Sequence, residues 1–168
     1  MSAPAAGAGA VGDASAAPFV HRLVVRFHEI DRAGIVYFGR VFEYCHVTYE
    51  EMLGQALEAS LEAAEGGALE RFFEQSTWLM PLVHAEADYK APMRLGDALE
   101  VELRVERLGR SAVTFGYRVV GAGGRVHATA KLVHACVERG SFAKLLVPGS
   151  LVAGLEGLGL VAARGRGD

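Results

Sequence analysis

Two hydrophobic rhythms divide this chain, and their order restricts the folds open to it. Val41, Phe42, Cys45, Tyr49, Met52 and Leu53 recur at three- and four-residue steps, the spacing that places side chains on one stripe of a helix. This predicts a helix from Tyr37 or Phe38 to Leu53 or beyond. Past Leu79 the period falls to two. Val83, Ala85, Ala87 and Tyr89 alternate, then Leu99 to Val105, then Val113 to Val119, then Val126 to His134. Pro92, Gly109 and the Gly121–Gly124 cluster punctuate these runs, as turn residues do between strands. An earlier alternating run starts at Phe19 and breaks at Asp31-Arg32-Ala33-Gly34. The short connections between the four later runs predict an antiparallel meander. A sheet with one apolar face needs a cover, and the 38–53 helix is the element long enough to supply it. The expected architecture is therefore α+β: a five-stranded antiparallel sheet wrapped around a long central helix.

The 168 residues suit one domain. Residues 1–18 and 151–168 are rich in Gly and Ala and are expected to be tails, leaving 19–150 as the folded unit. Trimming residues 1–17 is expected to leave activity intact. Residues 55–75 predict further helix, interrupted at Gly66-Gly67. A net charge of −3 argues against nucleic acid or an anionic membrane as partner. No apolar run reaches the roughly 18 residues of a membrane span, and the first residues lack the basic start and apolar segment of a secretory leader. Two cysteines, Cys45 and Cys136, make no disulfide scaffold. A cytoplasmic protein with reduced thiols is expected.

The chemistry concentrates in Phe27-His28-Glu29-Ile30-Asp31-Arg32-Ala33-Gly34-Ile35-Val36-Tyr37-Phe38-Gly39. A carboxylate stands in a turn just before a helix, whose first N–H groups lack backbone partners and carry partial positive charge. An oxygen that becomes negative during a reaction fits there, with Asp31 across from it as base or nucleophile. On the pattern alone, the plainer role for Asp31 as a turn or cap aspartate is the commoner one.

"IDRAGIVYFGRVFEYCHVTYEEML" resembles the signature of the hotdog-fold thioesterases of the 4-hydroxybenzoyl-CoA thioesterase family. The continuation, "CHVTYEEML" and then "MPLVHAEADYKAPMRLGD", is similar to the 1,4-dihydroxy-2-naphthoyl-CoA hydrolases of quinone biosynthesis. The similarity spans about residues 20–150. Arg32 departs from the small residue or proline that often follows the aspartate in that family. His46 stands where broad-specificity members often carry a glutamate, which favours the naphthoyl branch. The resemblance implies hydrolysis of an aromatic acyl-CoA, with 1,4-dihydroxy-2-naphthoyl-CoA the favoured substrate. Other aryl- or acyl-CoA esters, carrier-bound acyl groups and a non-catalytic acyl-CoA-binding module are the alternatives. It implies that the Phe38 backbone N–H holds the thioester oxygen, while Asp31 attacks the carbonyl or activates water. It also implies a homodimer or homotetramer with sites at the subunit interface.

Gly34, Ile35, Val36, Tyr37, His46 and His84 are the expected substrate contacts. Lys90, Arg94, Arg110 and Ser111 are the candidates for CoA, whose nucleotide end is strongly anionic. For each of these cations, solvated surface charge is the competing role. Cys45 lies on the apolar stripe and is expected to be a buried hydrophobe rather than a nucleophile. No metal is expected, because Cys45-His46 are adjacent and His134 and Cys136 lack partners at ligand spacing. No cofactor is expected either. Gly121–Gly124 is a hairpin turn rather than a phosphate loop, since no helix follows it.

Overall fold

The computed structural model describes residues 16–58 and 67–162, together with the backbone of Ala10–Val11. The remainder of the expected N-terminal tail lies outside the described residues. In chain order the elements are β1 (Ala10–Val11), β2 (Phe19–Val24), α1 (Arg40–Glu58), α2 (Ala68–Gln75), β3 (Trp78–Leu79) and β4 (Leu82–Tyr89). Then follow β5 (Ala98–Leu108), β6 (Ala112–Val120), β7 (Val126–Ala135), β8 (Val137–Glu138) and α3 (Gly149–Gly157).

The main sheet is antiparallel and runs β2-β5-β6-β7-β4, with β1 pairing the far end of β5 on the same edge as β2. β3 and β8 form a separate two-stranded piece. The α+β hotdog architecture is as expected, and the long helix is its centre. Val41, Tyr44, Cys45, Thr48, Tyr49, Met52, Leu53, Ala56 and Leu57 are buried on α1, an unbroken run of three- and one-residue steps. The facing sheet residues Leu99, Val101, Leu103, Val113, Phe115, Val119 and Leu132 are buried with them in one core. The helix begins at Arg40, later than the periodicity placed it, because Tyr37 to Gly39 form the turn that leads into it.

Two expectations change. The four later runs are not one meander: β5, β6 and β7 are consecutive neighbours, but β4 pairs with β7 at the opposite side from β5. The 90–97 connection therefore crosses the end of the sheet. It is fastened to β7, where the His127 carbonyl accepts the N–H groups of Lys90 and Ala91 at 2.8 and 3.1 Å. The His127 ring in turn binds the Pro92 carbonyl through Nδ1 at 2.9 Å. Residues 151–162 are not a tail, and 163–168 lie outside the described residues. α3 packs on α1 with Leu151 and Leu155 fully buried, and Gly154 lies against the Ala56 backbone. Its small residues, read as low complexity, are what permit that approach.

The other sheet face is charged. Arg22 pairs with Glu100 at 2.9 Å and Arg118 with Glu102 at 2.8 Å. Lys131 on β7 reaches Glu86 on β4 at 3.5 Å and Glu106 on β5 at 3.6 Å, the latter across Gly116 of β6.

Candidate active site

The chain between β2 and α1 folds back on itself. The Tyr37 N–H donates to the Glu29 carbonyl at 2.8 Å, Ile30 and Val36 form an antiparallel bridge, and the Asp31 N–H donates to the Ile35 carbonyl at 2.9 Å. The Gly34 N–H closes the tip on the Asp31 carbonyl at 3.0 Å. Gly34 has φ +74°, a left-handed conformation that glycine adopts without the clash a Cβ would bring. The Val36 N–H donates to the Met93 carbonyl at 2.9 Å, tying this loop to the β4–β5 crossing. Asp31 is exposed at the tip. Its Oδ1 accepts the Ala33 N–H at 2.7 Å, an Asx turn, and its Oδ2 has no partner among the described residues. One oxygen shapes the turn and the other is available.

The first helical N–H groups are already occupied. Those of Arg40, Val41 and Phe42 donate to the carbonyls of Tyr37, Phe38 and Gly39 at 2.9, 3.3 and 3.2 Å. Among the described residues, the amides without an acceptor at this entrance are those of Phe38 and Gly39. The Phe38 carbonyl accepts the Tyr89 hydroxyl at 2.8 Å. Because a trans peptide is planar, that bond fixes the Gly39 N–H pointing the other way. A side chain at Gly39 would come within 2.9 Å of the Tyr37 ring.

An open groove of about 480 Å³ runs beside α1, between Phe42, His46 and Val47 of the helix and Leu82, Ala85 and Leu132 of the sheet. Its floor is the inner face of the β4–β7 pair. There the opposed residues are Tyr89/Ala128, Ala87/Ala130, Ala85/Leu132 and Leu82/His134. Tyr89 holds Phe38 at one end of this strand pair, and His134 lies at the other.

At the inner end, His134 is 1% exposed. Its ring stacks on Tyr49 with centroids 4.3 Å apart and 13° between planes. Nδ1 lies 3.0 Å from the Met80 carbonyl, while Nε2 is buried without a hydrogen-bond partner. Such an orphan costs about 1–3 kcal/mol. Burial lowers the His134 pKa, with His46 adding to the effect, so the ring stays neutral. Sequence reasoning did not include His134 in the site. Its signal was a polar residue on the inward positions of a strand otherwise carrying Ala128, Ala130 and Leu132. Cys45 is fully buried, and desolvation pushes its thiol up to about 12, which removes it as a nucleophile.

The remaining expected contacts divide. Tyr37 and Phe38 are exposed neighbours with ring centroids 4.5 Å apart, and Ile35 is half-buried. Val36 is a core residue whose side chain packs inward, so it is no surface contact. His46 lines the groove and pairs with Glu50 at 3.3 Å. His84 lies on the charged face, opposite the inward Ala85, and binds Glu86 at 3.1 Å. A bulge between Leu82 and His84 turns Leu82 rather than Val83 toward the helix. Within one chain the candidate CoA cations do not converge. Lys90 and Arg94 belong to the crossing before β5, near the Asp31 loop, whereas Arg110 and Ser111 follow its far end. The length of β5 separates the two groups by about 30 Å.

The family model of the thioesterase-like superfamily matches residues 25–155. A 1,4-dihydroxy-2-naphthoyl-CoA hydrolase of Synechococcus elongatus is 37% identical over 123 residues, covering 73% of this chain and 83% of the relative. The hydrolase of the same name from Nostoc punctiforme is 36% identical over 138 residues, covering 82% and 86%. Among solved structures, a 1,4-dihydroxy-2-naphthoyl-CoA thioesterase from Synechocystis superposes with a TM-score of 0.70 at 26% identity, over 82% of this chain and 94% of that one.

Proposed function

This chain belongs to the thioesterase-like superfamily, and from that premise we propose that it hydrolyses an aromatic acyl-CoA thioester, 1,4-dihydroxy-2-naphthoyl-CoA being the favoured substrate. The observation that carries the reading is the pairing of two free amides at the start of α1 with an open groove about one turn further along the same helix, beside Phe42 and His46. A flat acyl group fills the groove with its carbonyl at the amide end. As the carbonyl carbon is attacked, its oxygen turns negative and accepts from the Phe38 and Gly39 N–H groups. A fixed donor of this kind lowers the barrier by about 3–4 kcal/mol. Asp31 attacks that carbon itself or takes a proton from the attacking water through Oδ2. The C–S bond breaks and the sulfur takes up a proton to leave as the CoA thiol; after water attack the acid is released at once, and after Asp31 attack water hydrolyses the resulting anhydride, which frees the acid and restores the carboxylate.

A second copy of the chain completes this arrangement. β4 is an edge strand with Val83 60% and Leu82 47% exposed, and edges left unblunted pair readily. Antiparallel pairing of two β4 strands continues the sheet and lays the partner over the open side of the groove. Lys90 and Arg94, at the Asp31 end, then meet the CoA phosphates. No helix among the described residues is long and apolar enough to cross a membrane. Two buried free cysteines accord with a cytoplasmic setting.

The test is thiol release from a panel of CoA esters by the parent and by Asp31→Asn. The parent is expected to cleave the dihydroxynaphthoyl ester in preference to short aliphatic ones. Asp31→Asn should lose about 10²–10⁴ in kcat with little change in KM. A parent that binds these esters and frees no thiol is a binding module, and the proposal fails.

A further inference from the structure

The orphaned nitrogen of His134 calls for a partner that the described residues do not supply. Its Nδ1 faces the Met80 carbonyl at 3.0 Å. A carbonyl only accepts, so Nδ1 carries the proton and Nε2 of the neutral ring presents a bare lone pair. The ring cannot swing to relieve this, being stacked on Tyr49 and met edge-on by Phe115 at 5.7 Å. Tyr49 does not satisfy it either, because its hydroxyl is directed at the Met80 sulfur at 3.8 Å. The missing partner is therefore a hydrogen-bond donor, which excludes a carboxylate, a phosphate or a ketone.

The place of the ring fits a ligand group. Leu82, its cross-strand partner, and Leu132, the preceding inward residue of β7, both line the groove. Leu82 stands at the strand bulge and is half-exposed, and it is the groove residue paired directly across from His134. From Ala130, near the Tyr89 end, to His134 the strand advances about 13 Å, which seats His134 opposite the end where the carbonyl is held. His46, the other histidine here, is exposed and engaged with Glu50. We propose that His134 determines acyl specificity, its Nε2 accepting a hydrogen bond from a hydroxyl of the aryl group. This inference rests on the aromatic thioesterase reading above.

The experiment compares 1,4-dihydroxy-2-naphthoyl-CoA with the unhydroxylated 2-naphthoyl-CoA, using the parent, His134→Phe and His134→Gln. His134→Phe keeps a flat ring and removes the acceptor. It should lose about tenfold in kcat/KM on the hydroxylated ester, mainly through KM, and nothing on the plain one. His134→Gln, which restores an acceptor, should regain part of the loss. Equal effects on both esters, or none, overturn the role of His134. If the parent cleaves neither ester, the thioesterase reading falls instead. A readout on the unsubstituted protein covers the case in which a variant fails to fold. The ¹⁵N signal of His134 Nε2 should shift on adding 1,4-dihydroxy-2-naphthoate and stay still with 2-naphthoate. A signal unmoved by both acids, or moved alike, overturns the proposal.

Discussion

Helix α3 meets α1 through the backbone of Gly154, and that contact fixes the sign of a substitution. A Cβ at 154 would overlap the Ala56 carbonyl oxygen, and would lie 2.7 Å from the carbonyl carbon and 2.9 Å from the Ala56 Cβ. These are atoms of a helix backbone and its first side-chain atom, so relief requires one helix to move. In an exposed helix, glycine to alanine gains about 1 kcal/mol. Here overpacking costs about 1–3 kcal/mol. The ceiling is detachment of α3, which would expose Leu151 and Leu155, each worth about 1.5–3 kcal/mol when buried. Gly154→Ala should therefore lose about 1–3 kcal/mol. Gly157→Ala is the control, because nothing lies within 4 Å of its Cβ position in the same helix. It should be neutral or gain up to about 1 kcal/mol. Thermal unfolding separates the two, at about 2–4 °C per kcal/mol for a chain of this length. Gly154→Ala melting at or above the parent would refute the described packing of α3 on α1.

Two further outcomes concern the Asp31 turn and the buried thiols. Gly34→Ala, forced to φ +74°, should cost about 1–2 kcal/mol in a denaturant melt and lower thiol release by loosening the Asp31 turn. The buried thiols should make the protein less stable in alkali. Cys45 is raised from 9.0 to about 12 and Cys136 to about 11, so between pH 9 and 10 the unfolded chain loses thiol protons that the folded one keeps. Stability then falls as pH rises, by at most about 1.4 kcal/mol per pH unit for each thiol. Cys45→Ala should flatten that decline in urea melts taken at pH 8 and 10.

Legibility from sequence followed the range of the interactions. The stripe of α1, the alternation of β5, β6 and β7 and the turn at Asp31 are local, so residue spacing reports them directly. The partner of β4 is not local. Its inward residues Ala85 and Ala87 oppose Leu132 and Ala130 rather than anything on β5, and no spacing in the chain reports which edge a strand joins. α3 was obscured for a chemical reason, since glycine and alanine mark both loose chain and tight helix contacts. In the candidate site, the turn at Asp31 was readable because turn and helix entry are adjacent in sequence, whereas the Phe38 amide was named by the family resemblance. The Gly39 amide came into view only with the Tyr89 hydroxyl on the Phe38 carbonyl, a contact between positions 51 residues apart.

Gly116 has a consequence for the solvent side of the sheet. With only a hydrogen atom as its side chain, it lets the Glu106 carboxylate lie flat over β6, where a methyl group would come within 2.7 Å of Cδ. Lys131 is thereby able to grip β5 and β4 at once, coupling outer and inner strands that share no ladder. A single missing methyl thus acts as a notch for an ionic strap. Because the strap occupies the surface, a second protein layer could settle there only by stripping water from at least three charges, which leaves that face a poor seat for an oily partner.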